Sequence, residues 1–301
     1  MVGSMAAFTL NDTMTKTTGG AVPLFQLLFL RGLISISLIM LLWGRLGPMH
    51  LRLSRRDWKL VGIRSGSEVA ASFFFVTALF NMSEWVGGYS GIRTLFNMPL
   101  ANLSAILQSL PLTVTLGAAL FYREPVGWKR FSAILVGFMG VMLIVKPGTD
   151  GFNVWSVYAL IAVMFVTIRD LSTRRLSKAV PSMTVTFAAV LSVTVFSAFA
   201  QLATPWAPVS APHWQAIAAA AVFVLMGYYF SVQTMRTGDV SFIAPFRYTG
   251  LIWALILGWF VFGDWPLPST LIGAAIVAAT GLFTLYRERK LSRRVVMVAK
   301  R

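Results

Sequence analysis

Apolar residues dominate this chain in long runs, and Arg, Lys, Gly and Pro collect in the short stretches between them. A membrane-spanning helix needs roughly 20 consecutive, mainly apolar residues. Runs of that kind fall at 1–18, 24–43, 60–80, 100–121, 131–145, 152–168, 183–203, 214–234, 240–262 and 267–286. The pattern predicts an all-α membrane protein of ten transmembrane helices with short connections. Composition agrees, because 57% hydrophobic against 12% charged residues and a mean hydropathy of +0.74 do not describe a soluble surface. Ten such helices consume about 200 positions, which leaves no room for a soluble catalytic domain in 301 residues.

Charge sets the expected sidedness. The chain has 26 basic and 10 acidic residues, a net charge of +16. Twenty of the 26 fall in the second, fourth, sixth and eighth connections and the C-terminal tail, Arg169 among them. Basic residues gather on the cytoplasmic face, so both termini are expected in the cytoplasm of a cell bounded by an inner membrane. In a soluble protein this charge would suggest nucleic acid, but its position beside apolar runs assigns the tail to anionic lipid headgroups instead.

Faint internal repetition divides the helices into two sets. Ala6-Ala7-Phe8-Thr9-Leu10-Asn11-Asp12 resembles Met164-Phe165-Val166-Thr167-Ile168-Arg169-Asp170 at an offset of 158, and Pro23 falls on Pro181 at the same offset. Glu124-Pro125 falls on Asp264-Trp265 at an offset of 140. Five helices per half is an odd number, so the second half must enter the bilayer inverted relative to the first. Inverted repeats place a binding site near the midplane between halves and permit alternating access. The expected divisions are 1–146, 147–286 and a basic tail, 287–301.

The segment from Asn97-Met98-Pro99 through Gln108-Ser109-Leu110-Pro111, followed by Phe121-Tyr122-Arg123-Glu124-Pro125 and Gly137-Phe138-Met139-Gly140-Val141, resembles the EamA family of the drug/metabolite transporter superfamily. Asp239-Val240-Ser241, Asp264 and Gly281 supply the counterpart in the second half. The resemblance covers nearly the whole chain and implies a transporter, while leaving open which amino acid, vitamin or cofactor-like metabolite is carried. Two features depart from the family pattern. The offset between halves drops from 156 to 140 across the fourth helix, and Leu79-Phe80-Asn81-Met82 recurs as Leu95-Phe96-Asn97-Met98, which marks an insertion near 83–98. The first helix is also about six residues shorter than the sixth at its cytoplasmic end.

Ionisable groups within apolar runs are costly, about 2.5–3.5 kcal/mol each on insertion scales, and tend to be functional. Arg31, Arg64, Glu68 and Arg247 are of this kind. Arg64 and Glu68 are four residues apart and can pair on one helix face, so they read either as a structural ion pair or, for Glu68, as a protonatable coupling group, with Asp12 second. Arg31 and Arg247 have no carboxylate three or four positions away in their helices. Their planar forks suit a substrate carboxylate or phosphate, the alternatives being bonds to carbonyls or snorkelling to an interface. Asn102, Gln108 and Tyr248 are further substrate-binding candidates, Gln108 mapping onto Tyr248 at the 140 offset. Tyr228, Tyr229, Trp253 and Phe246 are candidate cavity linings, and Pro111 removes a backbone hydrogen bond mid-helix, a kink suited to cavity shape or rocking. Ala133 and Gly137 with Ala274 and Ala278 form small faces for internal packing or for a homodimer.

The absence of cysteine and the presence of only His50 and His213 leave no thiolate or histidine set for a metal or catalytic centre. No cofactor is expected, and no G-x-x-x-x-G-K-[ST] motif for nucleotide hydrolysis is present. The expected function is therefore a secondary transporter of a small polar metabolite, driven by a proton or sodium gradient, by exchange or by the substrate's own gradient. Its rivals are an integral-membrane enzyme acting on lipid-linked substrates and a non-transporting scaffold.

Overall fold

The computed structural model describes residues 1–301 except 19–20, 43–48, 50–51, 81–99, 123–127, 146–153, 178, 238–243 and 299–301. The expected insertion near 83–98 thus lies outside the described residues. Among those described there is no strand. The helices are α1 (Val2–Thr17), α2 (Leu24–Leu41), α3 (Arg55–Phe80), α4 (Leu100–Leu107), α5 (Leu110–Tyr122), α6 (Trp128–Val145), α7 (Val154–Arg174), α8 (Ser182–Gln201) and α9 (Ala211–Thr237). A 3₁₀ segment, Ala244–Tyr248, then leads into α10 (Thr249–Phe262), and α11 (Pro268–Val298) follows. Helical segments at Leu24–Leu41, Asn102–Tyr122, Val154–Arg174, Ser182–Gln201 and Ala211–Ser231 are each long and apolar enough to cross a bilayer, with shorter apolar helices at Phe131–Val145, Phe246–Phe262 and Pro268–Phe283.

Local chemistry accounts for the helix ends. Pro23 and Pro181 precede α2 and α8 in extended conformations, with ψ of 144° and 140°, where a fixed φ and a missing N–H cost nothing. Pro111 cannot donate to the turn behind it, and the expected fourth helix breaks at Gln108-Ser109 into α4 and α5. At the end of α10, Gly263 adopts a left-handed φ of 70°, which a Cβ would oppose. The Asp264 N–H then reaches back to the Gly258 carbonyl at 3.1 Å.

Several helices outrun the apolar stretches that announce them. α7 continues to Arg174, six residues beyond its expected end, and α11 continues through the basic tail to Val298. Arg169, expected in a connection, is therefore a helical residue facing the interior. Cations suit the last turns of a helix, where the dipole is negative, so charge alone does not end these helices. At the start of α3 the Ser54 hydroxyl donates to the Asp57 carboxylate at 2.8 Å while the Asp57 N–H donates to Ser54 Oγ at 3.1 Å, a reciprocal cap.

Helix pairs build the bundle: α1 packs on α9, α2 on α8, α3 on α7 and α6 on α11, with α1 also meeting α10 and α4 meeting α7. Leu103, Ile106, Leu112, Ile134, Val141 and Val277 form the largest apolar cluster, where α4, α5, α6 and α11 meet. The small faces of α6 and α11 serve this internal contact. A Cβ at Gly273 would stand 2.5 Å from the Gly140 carbonyl oxygen, which is backbone and cannot step aside. Gly273→Val is expected to lower stability by about 1–3 kcal/mol through overpacking, read as a reduced thermal midpoint of the purified protein in detergent. An unchanged midpoint would count against close α6–α11 packing.

Candidate functional site

Glu68, midway along α3, is the hub of a buried polar cluster. The Tyr228 hydroxyl, from α9, donates to it at 2.6 Å. The Arg169 guanidinium, from α7, reaches both carboxylate oxygens at 3.2 and 3.5 Å. Arg64, one turn earlier on α3, stands 3.8 Å away. Helical spacing thus brings Arg64 to Glu68 as the sequence suggests, but the shorter contacts come from other helices. Arg64 itself donates to Thr173 Oγ1 on α7 at 3.1 Å and to the Val185 carbonyl on α8 at 3.5 Å.

The cluster extends along α7. Asp170 accepts from its neighbour Arg169, with contacts of 2.9 and 3.0 Å, and from Arg247 at 3.2 Å. Arg247 stands in the 3₁₀ segment rather than inside an α-helix as expected. Irregular backbone at membrane depth is tolerated where protein buries it or where it borders a cavity. The order of contacts is Arg64, Glu68, Arg169, Asp170, Arg247, with signs alternating. Glu68 and Arg64 are almost fully buried, whereas Arg169, Asp170 and Arg247 keep side-chain exposures of 19%, 16% and 18%. The second group borders accessible space and the first lies beneath it.

A second set adjoins this one. Arg31, on α2, donates to Asn11 Oδ1 at 3.2 Å, and Asn11 Nδ2 donates to Asp12 Oδ1 at 2.9 Å, both on α1. Arg31 is close enough to Asp12 and Glu68 to feel their charge. Phe8 on α1 meets the Tyr228 ring edge-on at 5.4 Å and ties this set to the first. Arg31 and Arg247, which lack partners within their own helices, both find them across helix interfaces. Asp12 is half-buried between helices. With its carboxylates ionised the combined cluster has four guanidiniums against three carboxylates, one positive charge in excess. Carboxylates on α3 and α7, and the Asn11 amide on α1, hold guanidiniums that insertion alone would disfavour.

The remaining sequence candidates stand on α4, at the α4–α5 break and beside Arg247 in the 3₁₀ segment. Gln108, at the α4–α5 break, packs against α10, its Nε2 lying 3.3 Å from where a Cβ on Gly250 would stand. Tyr248 is buried and its hydroxyl has no partner among the described residues; the same holds for Asn102 Oδ1. No hydrogen bond therefore joins Gln108 to Tyr248. At the other end of α1, Lys16 pairs with Asp264 at 2.8 Å and lies 4.3 Å from the centre of the Phe262 ring.

Arg169, Asp170 and Asn11 are the members that sequence candidates did not include. Their signal was the 158 offset, which aligns Asn11-Asp12 with Arg169-Asp170. Each pair occupies one helix, α1 or α7, and each binds a guanidinium from another element.

Outside the apolar segments, Asp57 also accepts the Ser177 N–H at 3.1 Å and so ties α3 to the turn between α7 and α8. These hydrogen bonds hold its carboxyl below the ordinary value of 3.8. A depressed folded-state pKa contributes stability that is present above that ordinary value and lost as pH falls through the lower folded one. The thermal midpoint of the protein is expected to exceed that of Asp57→Asn at neutral pH, the gap shrinking as pH falls under 3.8 and closing only below the folded-state pKa of Asp57. A pH-independent gap would show that the charge of Asp57 is not what its partners recognise.

A multi-pass helical bundle with acidic and basic side chains paired in its interior is consistent with a membrane transport protein. Residues 153–286 match the EamA-like transporter family. The chain is 32% identical to the riboflavin transporter of Vibrio cholerae over 200 residues, 66% of this chain and 67% of that protein. It is 26% identical to the S-adenosylmethionine uptake transporter of Rickettsia felis over 95% of this chain and 91% of that one, and 22% identical to a pseudopaline exporter of Pseudomonas aeruginosa over 92% of each. A crystal structure superposes with a TM-score of 0.66 at 20% identity, covering 96% of this chain and 97% of its own, which supports the fold. The chain belongs to the EamA-like transporter family and is a small-metabolite transporter, not an enzyme.

Proposed function

We propose that this protein is a secondary transporter with ten spans arranged as two inverted five-helix repeats, 1–146 and 147–286, in an inner membrane with both termini cytoplasmic. α4 with α5 would form one span and the 3₁₀ segment with α10 another. Helix pairing supports this reading. α1 on α9 is mirrored by α7 on α3, α1 on α10 by α7 on α4, while α2–α8 and α6–α11 pair equivalent helices. Asp12 and Asp170, aligned at the 158 offset, each sit beside a guanidinium. Such an arrangement can rock between inward- and outward-open forms about a site at the interface between halves.

The observation that carries the reading is the cluster of four guanidiniums and three carboxylates drawn from α1, α2, α3, α7 and the 3₁₀ segment. Its excess positive charge fits a metabolite with a carboxylate or phosphate, held by Arg247 and Arg31. Asn102, Gln108 and Tyr248 would contact the rest of it. Glu68, with Asp12 second, is the group whose protonation would couple transport to a proton gradient, with Arg64 fixing its position; sodium would need carboxylates and carbonyls instead.

Proteoliposomes containing the purified protein test this. Labelled S-adenosylmethionine and riboflavin are the first substrates to try because of the relatives' names, under an imposed pH gradient and, separately, a sodium gradient. Saturable flux of chemically unchanged substrate is the expected result. Flux that is absent across a pooled set of labelled carboxylate- and phosphate-bearing metabolites, with protein correctly inserted, would overturn it.

A further inference from the structure

A cavity of about 520 Å³ lies between α3, α5 and α7, away from the charge cluster. Its lining is graded along the helices. Arg56, Tyr122 and Arg175 come from the start of α3, the last residue of α5 and the residue just past α7, three helix ends on one side of the bundle. The Arg175 Cζ stands over the Tyr122 ring, 3.9 Å from its centre, and the Tyr122 hydroxyl donates to the Leu171 carbonyl at 2.8 Å, so the aromatic platform is fixed. Seven residues further into α3 and α7 the wall becomes apolar, with Ile63 51% and Ile168 37% exposed; Phe121, next to Tyr122 near the rim, is 73% exposed. Seven helical residues span roughly 10 Å, about the depth from a headgroup to the upper acyl chain.

We infer that this cavity binds one anionic phospholipid from the leaflet on that side, its phosphate between Arg56 and Arg175 and an acyl chain along Ile63, Phe121 and Ile168. Both residues are exposed and neither forms a salt bridge with a carboxylate among the described residues, although Asp57 next to Arg56 feels its charge; planar forks bind phosphate oxygens well. A soluble anion would use the rim but leave the apolar wall unfilled; a neutral lipid would fill the wall but leave the Arg56 and Arg175 forks unused. The charge and the depth gradient together select an anionic lipid. In the topology proposed above this is the cytoplasmic leaflet, whose anionic lipids attract juxtamembrane Arg and Lys. The site is separate from the transport cluster, and lipid bound there would brace α3 against α7, the two helices that hold Glu68 and Arg169.

Native mass spectrometry of the detergent-solubilised protein with phosphatidylglycerol or phosphatidylcholine tests the inference. Phosphatidylglycerol should be retained in preference, and Arg56→Gln/Arg175→Gln should reduce its occupancy about tenfold, toward that of phosphatidylcholine. Ile63→Trp, which obstructs the wall without altering charge, should also release it, whereas Arg52→Gln, outside the cavity, should not. Equal retention of the two lipids by the unaltered protein, or unchanged retention by the double variant, would overturn the inference. Displacement of the lipid by millimolar glycerol phosphate would assign the rim to free anions and overturn it as well. Thermal unfolding of each variant confirms that it is folded before its lipid occupancy is compared.

Discussion

Glu68→Gln is expected to abolish measurable transport and to lower the thermal midpoint sharply. The side chain keeps its shape and its place beside Tyr228, but the charge facing Arg169 and Arg64 disappears. Removing one partner from a buried ion pair leaves the other charge uncompensated, which typically costs about 3–5 kcal/mol. Loss of stability alone would explain loss of flux, so a second variant separates the roles. In Glu68→Gln/Arg169→Gln the number of charges is rebalanced, and the thermal midpoint is expected to recover most of its value. If Glu68 carries the coupling proton, transport stays at least about tenfold below that of the unaltered protein, as expected when a charge-assisted contact worth about 1.5–3 kcal/mol is missing from the cycle. If Glu68 is only a counter-ion, transport recovers with stability. Reading both quantities on the same preparation decides between the two roles that helical spacing alone left open.

That ambiguity shows where the sequence stops being informative. Hydropathy marks where the chain is apolar, and helices stand at those runs because a backbone in hydrocarbon must satisfy its own hydrogen bonds. Pro111 marks the break between α4 and α5 for an equally local reason. Arg64 and Glu68 were legible as a pair because their relation is a spacing along one helix. Arg169 was not, because hydropathy treats a charge as the end of a span. α7 continues past it because Glu68, more than a hundred residues earlier, supplies the opposite charge across a helix interface. The same nonlocality explains Arg31 with Asn11 and Arg247 with Asp170. Sequence identifies a costly charge at depth, and only the packing of α3 on α7 and of the 3₁₀ segment near them identifies what offsets the cost. Repetition came closest to an exception: the 158 offset placed Asp170 in register with Asp12, and a stricter reading of that register would have drawn Arg169-Asp170 out of the connection and into the helix.

Arg247→Lys gives the second large effect, and its value lies in what it preserves. Lysine keeps the positive charge opposite Asp170, so the ion pair, now 3.2 Å from Arg247 Nη1, survives in altered geometry and the fold should hold. What it loses is the planar fork, which can engage Asp170 with one nitrogen while offering others to a second acid. The Arg247 side chain is partly exposed, as a residue facing a substrate path must be, whereas Arg64, paired with the same cluster, is nearly closed off. If Arg247 holds a carboxylate or phosphate of the substrate, Arg247→Lys should raise the concentration for half-maximal uptake by about tenfold, the loss of one charge-assisted hydrogen bond, with the maximal rate and the thermal midpoint little changed. Arg64→Lys should act in the opposite way, since Arg64 donates to Thr173 and Val185 rather than bordering accessible space; its cost should fall on the midpoint and the maximal rate. An unchanged half-maximal concentration in Arg247→Lys would assign that guanidinium to Asp170 alone and move the search for the anion-binding residue to Arg31, the other cation whose helix offers it no carboxylate.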